Sequence, residues 1–447
     1  MQNKNLIFLT MSRITVINMR NIYTALLRKF RDEGWNVYIV TPHERSLGMP
    51  TELVDVKDNA NDNLNEKRAG SVHILGVKTL NLQKTNAIEK GVGQVLVESQ
   101  FTSAIKKYLS DVKFDLVLYS TPPITFPKVI AYLKRQNPQA MTYLLLKDIF
   151  PQNAVDLGML QGMPVQGSWF KVHGWVARAK YQLYKYFRRK EKKLYALSDY
   201  IGCMSPANVE YVLKHNPEID AKRVEVAPNS ISLTPNPSPE GEGDLKAPEP
   251  PKGKRLEIRE KYGLPTDKPI FIYGGNLGKP QGIDYLIKCL DANKNRTDCH
   301  FVVVGTGTEL PKLQEWYDNL NDNLNVTVMK GLPKEDYDML VKCCDVGLIF
   351  LDHRFTIPNY PSRLLSYLEY KMPVICATDV NTDIGRIAEE NGYGYWCESV
   401  KPEDFTALVD KMLASDRKAM GEKGYEFLKE NYLVENTYNA VMRHFIG

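Results

Sequence analysis

The chain has 447 residues, of which 43% are hydrophobic and 25% are charged. This length predicts two or three domains, and this composition is typical of a globular enzyme and excludes a mainly disordered chain. The net charge of +5 excludes a strongly basic nucleic-acid-binding protein, unless the charge is clustered.

In the first half, short apolar strands alternate with helical patterns. The helix predicted at Asn21–Glu33 is typical, because its apolar residues recur at helical spacing and Gly34 ends it. The predicted strands are Leu6–Thr10, Val37–Thr41, Leu116–Tyr119, Thr142–Leu146, Asp199–Met204 and Val224–Val226, and the further helices are Val92–Leu109 and Ala207–Lys214.

One segment near the middle is unlike the rest. Thr234–Lys254 is rich in Pro, Gly and Glu and has almost no apolar residues. Such a stretch buries too little surface to offset its ordering entropy, so we predict a flexible insertion, placed at 231–256.

The second half repeats the alternation more regularly. Its predicted strands are Ile270–Tyr273, Phe301–Val304, Val326–Met329, Val346–Phe350 and Val374–Ala377. Continuous apolar strands that alternate with helices indicate a parallel sheet covered on both faces. Ligands bind such sheets beyond the carboxyl ends of their strands, so the loops there should carry the chemistry.

Three glycine-bearing turns follow strands at this edge, at Gly274–Gly282, Gly305–Gly307 and Lys330–Pro333. Glycine lets backbone N–H groups approach an anion, although a tight strand-to-helix turn needs glycine without any ligand. Three such turns at one edge favour a nucleotide site. Its candidate residues are Gly275, Asn276, Gly278, Lys279, Gly305, Gly307, Lys330 and Gly331.

The segment after the fourth strand adds a cation. A helix is predicted from Arg363 to about Tyr370, with Ser362 or Asn359 as its cap. Arginine binds phosphate oxygens in bidentate fashion, so a diphosphate site is favoured here. The alternative is a capped helix with a solvated arginine.

These motifs resemble the donor domain of the retaining glycosyltransferase family 4. The matching pieces are the Gly-Gly-Asn turn, Val303–Gly307, Lys330–Pro333, Pro361–Arg363 and Met372–Ile375. The resemblance implies an α/β chain of the GT-B fold, with two Rossmann-like, doubly wound domains and an interdomain cleft. It also implies that Asp352, Pro361, Ser362, Arg363, Leu364 and Ser366 join the glycine turns in binding a nucleotide-sugar donor.

The resemblance extends over nearly the whole chain except the insertion. Val224–Asn229 resembles the segment that enters the interdomain hinge, and Gly421–Asn431 and Tyr432–Phe445 resemble the closing helices. Tyr119–Pro123 and Lys147–Pro151 resemble members that act on bacterial polysaccharide acceptors, among them amino-sugar transferases. The implied domains are 1–230 with 431–447 for the acceptor, and 257–430 for the donor.

The sequence departs from the family at four positions. The two glutamates that most members carry are replaced by Pro358 and Ser366. The usual arginine and lysine of the glycine turn are replaced by Asn276 and Gln281. Glu369, one helical turn beyond Ser366, is therefore a candidate catalytic carboxylate, with Asp352 as a further polar contact.

Acceptor residues are expected after strands of the first half. Arg13 and Arg20 are candidates to meet an acceptor diphosphate, and His43 follows a strand, although a lone loop histidine is often incidental. Asp148 is the first choice of a catalytic acid or base. Its alternative role is to cap the turn before Pro151.

Basic residues cluster at Trp169–Lys193. Lysine or arginine recurs there every seven residues beside an apolar stripe that includes Val176, Leu183 and Phe187. A basic amphipathic helix with aromatic residues suits an anionic membrane surface. A core-packed helix with a solvated basic face is an equal alternative.

Several features exclude other classes. Asp336-Tyr337-Asp338 mimics a metal motif, but its acids lie in a predicted first helical turn, where they complement the helix dipole. The seven cysteines have no metal spacing and are predicted to be reduced and buried. We therefore expect no metal, no cofactor and no nucleic acid, and the UDP-sugar is expected as a substrate. No signal peptide or membrane span is seen, which predicts a cytoplasmic protein, peripheral on the membrane at most.

Together these observations predict transfer of a hexosyl or N-acetylhexosaminyl group from a UDP-sugar to a lipid-linked saccharide, with retention. Two alternatives remain open: a nucleotide-sugar 2-epimerase of the same fold, and a catalytically silent nucleotide-sugar-binding subunit.

Overall fold

The computed structural model describes residues 4–18, 21–56, 69–82, 87–162, 175–233, 252–320 and 325–445. The chain divides into two compact units. Unit 1 comprises Met1–Ile231 and Val434–Gly447, and unit 2 comprises Ser232–Leu433.

Unit 1 contains a sheet of eight strands in the order β3-β4-β2-β1-β5-β6-β7-β8, and only β3 pairs antiparallel to its neighbour. Its elements are β1 (Asn5–Leu9), α1 (Thr24–Asp32), β2 (Asn36–Glu44), β3 (Glu52–Val56), β4 (Val72–Thr79), α2 (Ala87–Tyr108), β5 (Leu116–Ser120), α3 (Pro127–Gln136), β6 (Met141–Leu146), α4 (Gln152–Asp156), α5 (Trp175–Leu197), β7 (Tyr200–Cys203), α6 (Pro206–His215), β8 (Val224–Val226) and, near the chain end, α15 (Val434–Met442).

Unit 2 contains an all-parallel sheet of six strands in the order β11-β10-β9-β12-β13-β14. Its elements are α7 (Lys252–Lys261), β9 (Ile270–Asn276), α8 (Ile283–Asn293), β10 (His300–Thr306), α9 (Leu310–Asp318), β11 (Val326–Lys330), α10 (Lys334–Lys342), β12 (Val346–Phe350), α11 (Arg363–Glu369), β13 (Val374–Thr378), α12 (Ile384–Glu390), β14 (Gly394–Glu398), α13 (Pro402–Ala414) and α14 (Arg417–Asn431).

Both sheets have a hydrophobic core on each face, as continuous apolar strands require. In unit 1, α1 and α15 pack on one face around Phe8, Leu27 and Phe30. In unit 2, α8 and α13 cover one face around Phe301 and Phe405. The predicted doubly wound α/β architecture is therefore confirmed for each unit.

The structure corrects the predicted elements at several points. Strands β3, β4 and β14 were missed by the prediction. The end of the predicted insertion at 231–256 is wrong, because α7 already begins at Lys252; residues 234–251 lie outside the described ranges. All seven cysteines are buried and unpaired, as predicted.

Candidate functional site

The carboxyl edge of the unit 2 sheet has the strand order that creates a ligand crevice. Strand β9 lies between β10 and β12, at the point where the order of the strands reverses. In open parallel sheets the ligand lies at this switch point. The predicted nucleotide edge therefore coincides with the switch point of the observed sheet.

Two of the predicted glycine turns are partly strand, which corrects the prediction. Strand β9 continues to Asn276 and β10 to Thr306, with Gly275 opposite Gly305. A Cβ atom on Gly305 would lie 2.0 Å from the carbonyl oxygen of Gly275, and Gly275 itself has a φ of +117°. Glycine is thus required here for strand pairing and backbone conformation, and it leaves the backbone uncovered at the edge.

The loop after β9 is held by Gln281. Its Oε1 accepts hydrogen bonds from Asn276 Nδ2, at 2.9 Å, and from the backbone N of Gly278, at 3.1 Å. The two positions where the family usually has basic residues therefore bond to each other. Lys279, in the same loop, has an exposed side chain.

Asp352, just after β12, is tied to the same loop. Its backbone N donates to the carbonyl oxygen of Pro280 at 3.0 Å, and a Cβ atom on Gly282 would lie 3.2 Å from its Cα. Arg354 donates to both carboxylate oxygens, with Nε at 2.9 Å and Nη2 at 2.7 Å. Burial acts to raise the pKa of Asp352, but the Arg354 hydrogen bonds outweigh it and hold this pKa below its usual value.

The pairing of Asp352 with Arg354 changes the interpretation of the segment after β12. The oxygens of Asp352 are engaged by Arg354, whose own side chain remains half exposed. The segment therefore presents a guanidinium at the edge as well as a carboxylate. Sequence reasoning missed Arg354, although an arginine two residues after an aspartate is a recognisable local pairing.

Arg363 supplies a cation with one unsatisfied N–H donor group at the glycine edge. Its Cζ lies 4.3 Å from the centroid of the Tyr273 ring, and a Cβ atom on Gly275 would lie 3.8 Å from its Nη2. Its Nη1 is buried without a hydrogen-bond partner, and among the described residues it forms no ion pair. A buried guanidinium donor without an acceptor is costly, so the site is suited to an anion.

The helix after Arg363 is as predicted, but its cap is not. Helix α11 begins at Arg363, and Ser362 occupies the N-cap position without a side-chain capping hydrogen bond. Ser362 is exposed, and Pro361 is partly buried. The predicted capping role of Ser362 is therefore wrong, while its exposed hydroxyl remains near Arg363.

The other predicted donor residues lie at the ends of β10 and β11. A Cβ atom on Gly307 would lie 2.2 Å from the carbonyl oxygen of Leu277, and one on Gly331 would lie 2.7 Å from Thr306 Cγ2. Both glycines therefore pack closely at the ends of β10 and β11. Lys330 is exposed at the end of β11, opposite Gly305.

Three residues of α11 face other surroundings. Leu364 is fully buried in the core and contributes packing. Ser366 is partly buried, and Glu369 is 1% exposed at the last position of the helix. Glu369 lies about 9 Å along the axis from Arg363 and interacts with Tyr425 of α14, so the structure does not bring it to the glycine edge.

Unit 1 carries two partly buried ionisable groups at the carboxyl end of β6. Asn153 Nδ2 donates to Asp148 Oδ1 at 2.7 Å, and burial, partly opposed by this bond, raises the pKa of Asp148 to about 6. Lys147 Nζ donates to the carbonyl oxygen of Ala227 at 3.1 Å, and burial lowers its pKa to about 7. Perturbed pKa values in a strand-end loop are typical of functional groups, and Lys147 was missed by sequence reasoning.

The predicted acceptor residues do not form one group. Arg13 is exposed, with Nη2 3.8 Å from the sulfur of Met49, and Arg20 lies outside the described residues. His43 belongs to β2, whereas it was predicted to follow that strand. Its ring is 4% exposed, contacts Gly76, and places Nδ1 2.9 Å from the carbonyl oxygen of Pro50.

The basic segment at 169–193 is helical from Trp175 onwards, and 169–174 lie outside the described residues. The apolar stripe is exposed in its first part, with Trp175 at 81%, Val176 at 49% and Leu183 at 45%. Phe187, further along, is 7% exposed and joins a small core cluster. The core-packed alternative is therefore wrong for the first half of α5.

Asp336 lies in the first turn of α10, as predicted, whereas Asp338 lies beyond that turn; both are paired with lysines. Within the described ranges, no cluster of three or more His, Cys, Asp or Glu side chains is arranged to hold a metal ion. No helix in that same part of the chain is long and apolar enough to cross a membrane.

Comparisons with known proteins agree with this geometry. The family model of glycosyl transferases group 1 matches residues 254–427. The chain is 22% identical over 354 residues to "Probable glycosyltransferase WbjE" of Pseudomonas aeruginosa, covering 78% of each. It is 33% identical over 166 residues to alpha-D-kanosaminyltransferase of Streptomyces kanamyceticus, covering 36% of this chain and 40% of that one.

Solved structures share the fold over the full length. Anabaena HepE in complex with UDP-glucose superposes with a TM-score of 0.62 at 11% identity, covering 99% of each chain. Residues 254–427 match the glycosyl transferases group 1 model, and the chain has the GT-B fold and resembles bacterial polysaccharide and amino-sugar transferases.

Proposed function

We propose that the chain transfers a hexosyl or N-acetylhexosaminyl group from a UDP-sugar to a lipid-linked saccharide in bacterial surface polysaccharide synthesis. The observation that supports this proposal most strongly is the Arg363 guanidinium, whose Nη1 is buried without a partner beside the uncovered backbone of Gly275. A nucleotide diphosphate supplies the oxygens that this donor lacks. The complex of HepE with UDP-glucose motivates the choice of UDP.

In the proposed reaction, negative charge builds on the diphosphate oxygen as its bond to the sugar anomeric carbon breaks. Arg363 stabilises that charge most, because its Nη1 group is already removed from water before the UDP-sugar binds. Arg354 and Lys279 add exposed positive charge, and Ser362 adds a hydroxyl. The scheme uses no metal, and retention at the anomeric carbon follows from the family resemblance.

On the acceptor side, we assign Asp148 the role of proton acceptor from the attacking hydroxyl group. A carboxyl group with a pKa of about 6 is ionised at neutral pH and is a stronger base than an ordinary aspartate. Asn153 orients this carboxylate through the 2.7 Å hydrogen bond. Arg13, Arg20 and His43 remain predictions for the acceptor.

The exposed half of α5 supports a membrane-bound acceptor. Trp175, Val176 and Leu183 expose apolar surface beside basic residues of the same helix. An anionic membrane satisfies both features, whereas water leaves the apolar side chains uncovered. We therefore propose that the protein works at the inner face of the cell membrane.

The decisive experiment supplies the full chain with a panel of UDP-sugars and lipid-linked saccharide acceptors, with and without a metal chelator. We expect UDP release that requires the acceptor and resists the chelator, and NMR of the product should show a retained anomeric configuration. Incubation with donor alone tests the epimerase alternative. UDP binding without turnover on every acceptor would leave only the silent subunit.

A further inference from the structure

A groove of about 500 Å³ lies on unit 1 between α2 and α3. On α3, Lys128, Tyr132 and Arg135 follow at intervals of four and three residues and so lie on one helix face. On α2, Lys106 reaches across, with Nζ 5.2 Å from the centroid of the Tyr132 ring. Three basic side chains therefore line one groove.

The single acid in the lining is already neutralised. Glu98 is 5% exposed, and its Oε1 accepts from the backbone N of Lys128 at 2.6 Å, at the start of α3. Its Oε2 pairs with Lys190 of α5 at 2.8 Å. The positive charges of Lys106, Lys128 and Arg135 are thus left without a carboxylate in the groove.

Helix α5 lies beside the groove. The pair between Glu98 and Lys190 fixes α5 beside α2, and Lys190 lies 5.9 Å from the ring centroid of Tyr186, one helical turn earlier. On α2, Val95 lines the groove at 51% exposure, and Leu96 beside it is 41% exposed. Exposed apolar side chains of α2 therefore border a positively charged groove, with α5 packed beside it.

We propose that the α2–α3 groove binds the anionic headgroups of a phospholipid bilayer, so that α2, α3 and α5 together form the membrane-contacting surface. This proposal extends the membrane contact proposed for α5. Phosphate groups complement the three cations, while Val95 and Leu96 enter the interface next to them. An anionic bilayer is the occupant that satisfies both kinds of surface at once.

The test is flotation of the full chain with phosphatidylcholine vesicles, with and without about a third of phosphatidylglycerol. The groove variant carries Lys106→Gln, Lys128→Gln and Arg135→Gln. A control carries Lys288→Gln, Lys401→Gln and Lys418→Gln, which removes the same charge from exposed positions of unit 2. A third variant, Leu183→Ser with Trp175→Ser, removes the apolar surface of α5, and thermal unfolding and UDP titration check each variant.

Each basic side chain near an anionic surface strengthens binding about fivefold, so the groove variant should lose about a hundredfold in affinity for anionic vesicles. The control should lose much less, and UDP affinity should stay unchanged in both. Equal losses in groove and control variants, or wild-type binding by the groove variant, would overturn the proposal. If only the α5 variant lost binding, the membrane contact of α5 would stand and the proposal for the groove would be overturned. The transferase assay tests the proposed function separately.

Discussion

Replacement of Arg363 by methionine tests the donor site most directly. Methionine keeps an unbranched apolar chain against the Tyr273 ring, where the Arg363 guanidinium now lies 4.3 Å from the ring centroid. It removes the charge and every donor, including the buried Nη1 that has no partner. The substitution thus separates the binding role of the guanidinium from its packing.

The structure predicts opposite effects on stability and on binding. Since Nη1 has no partner in the free protein, Arg363→Met removes a desolvated, unpaired donor and should leave the melting temperature unchanged or raise it. In the complex, a charge-assisted contact to the diphosphate is lost, which costs about 1.5–3 kcal/mol. UDP affinity should therefore fall by roughly ten- to a hundredfold.

Titration calorimetry with UDP and thermal unfolding measure the two quantities on the same samples. Arg363→Lys should bind UDP with intermediate affinity, because it keeps the charge but loses the planar fork. Arg386→Met is the matched control, since Arg386 is an exposed arginine of unit 2 paired with Glu390. Wild-type UDP affinity in Arg363→Met, or a large loss of stability without ligand, would refute the reasoning.

Three further predictions concern other groups of the two units. Gly275→Ala and Gly263→Ala both force a side chain into positive φ, at +117° and +63°, and each should cost about 1 kcal/mol of stability; calorimetry should show weaker UDP binding only for Gly275→Ala. In pH profiles of kcat/KM, activity should fall below about pH 6 as Asp148 is protonated. Asn153→Ala should move this fall in activity to higher pH, because the hydrogen bond that it removes stabilises the ionised carboxylate. A fall at the same pH in the variant would exclude Asp148 as the titrating base. Because the pKa of Lys147 is about 7 in the folded protein, the unfolded chain binds one more proton than the folded chain between about pH 7 and 10. The free energy of unfolding of the wild type should therefore rise with pH in that window, by at most about 1.4 kcal/mol per pH unit. Thermal unfolding of Lys147→Met should lack this rise.

The strands and the glycine edge were accessible from the sequence because their signals are local. A continuous apolar run such as Val346–Phe350 predicts a buried parallel strand, and the structure has β12 with those bounds. The glycines at 275 and 305 were recognised as turn residues, yet their reason is a close contact between β9 and β10. That contact joins residues thirty positions apart, which no local pattern contains.

Side-chain pairing was the part that the sequence did not reveal. Asp352 reads as a free carboxylate until the structure shows Arg354 on both of its oxygens. Likewise His43 reads as a loop residue, but β2 continues through it and its ring fills the space above Gly76. In each case the outcome depends on which neighbour the fold supplies, and single-residue propensities do not encode this.

The hydrogen bonds of the glycine loop explain what Asn276 and Gln281 do at the positions where the family usually has basic residues. Asn276 and Gln281 bond to each other and shape the loop, so this loop contributes backbone donors and the exposed Lys279. The arginines at the edge both come from the segment after β12, where Arg354 is anchored by Asp352 and the buried Nη1 of Arg363 has no acceptor. A paired arginine gains less from an arriving phosphate than an unpaired one, because its donors already have acceptors. Within this edge, Arg363 should therefore dominate diphosphate binding, although the family pattern alone would have assigned that role to the loop.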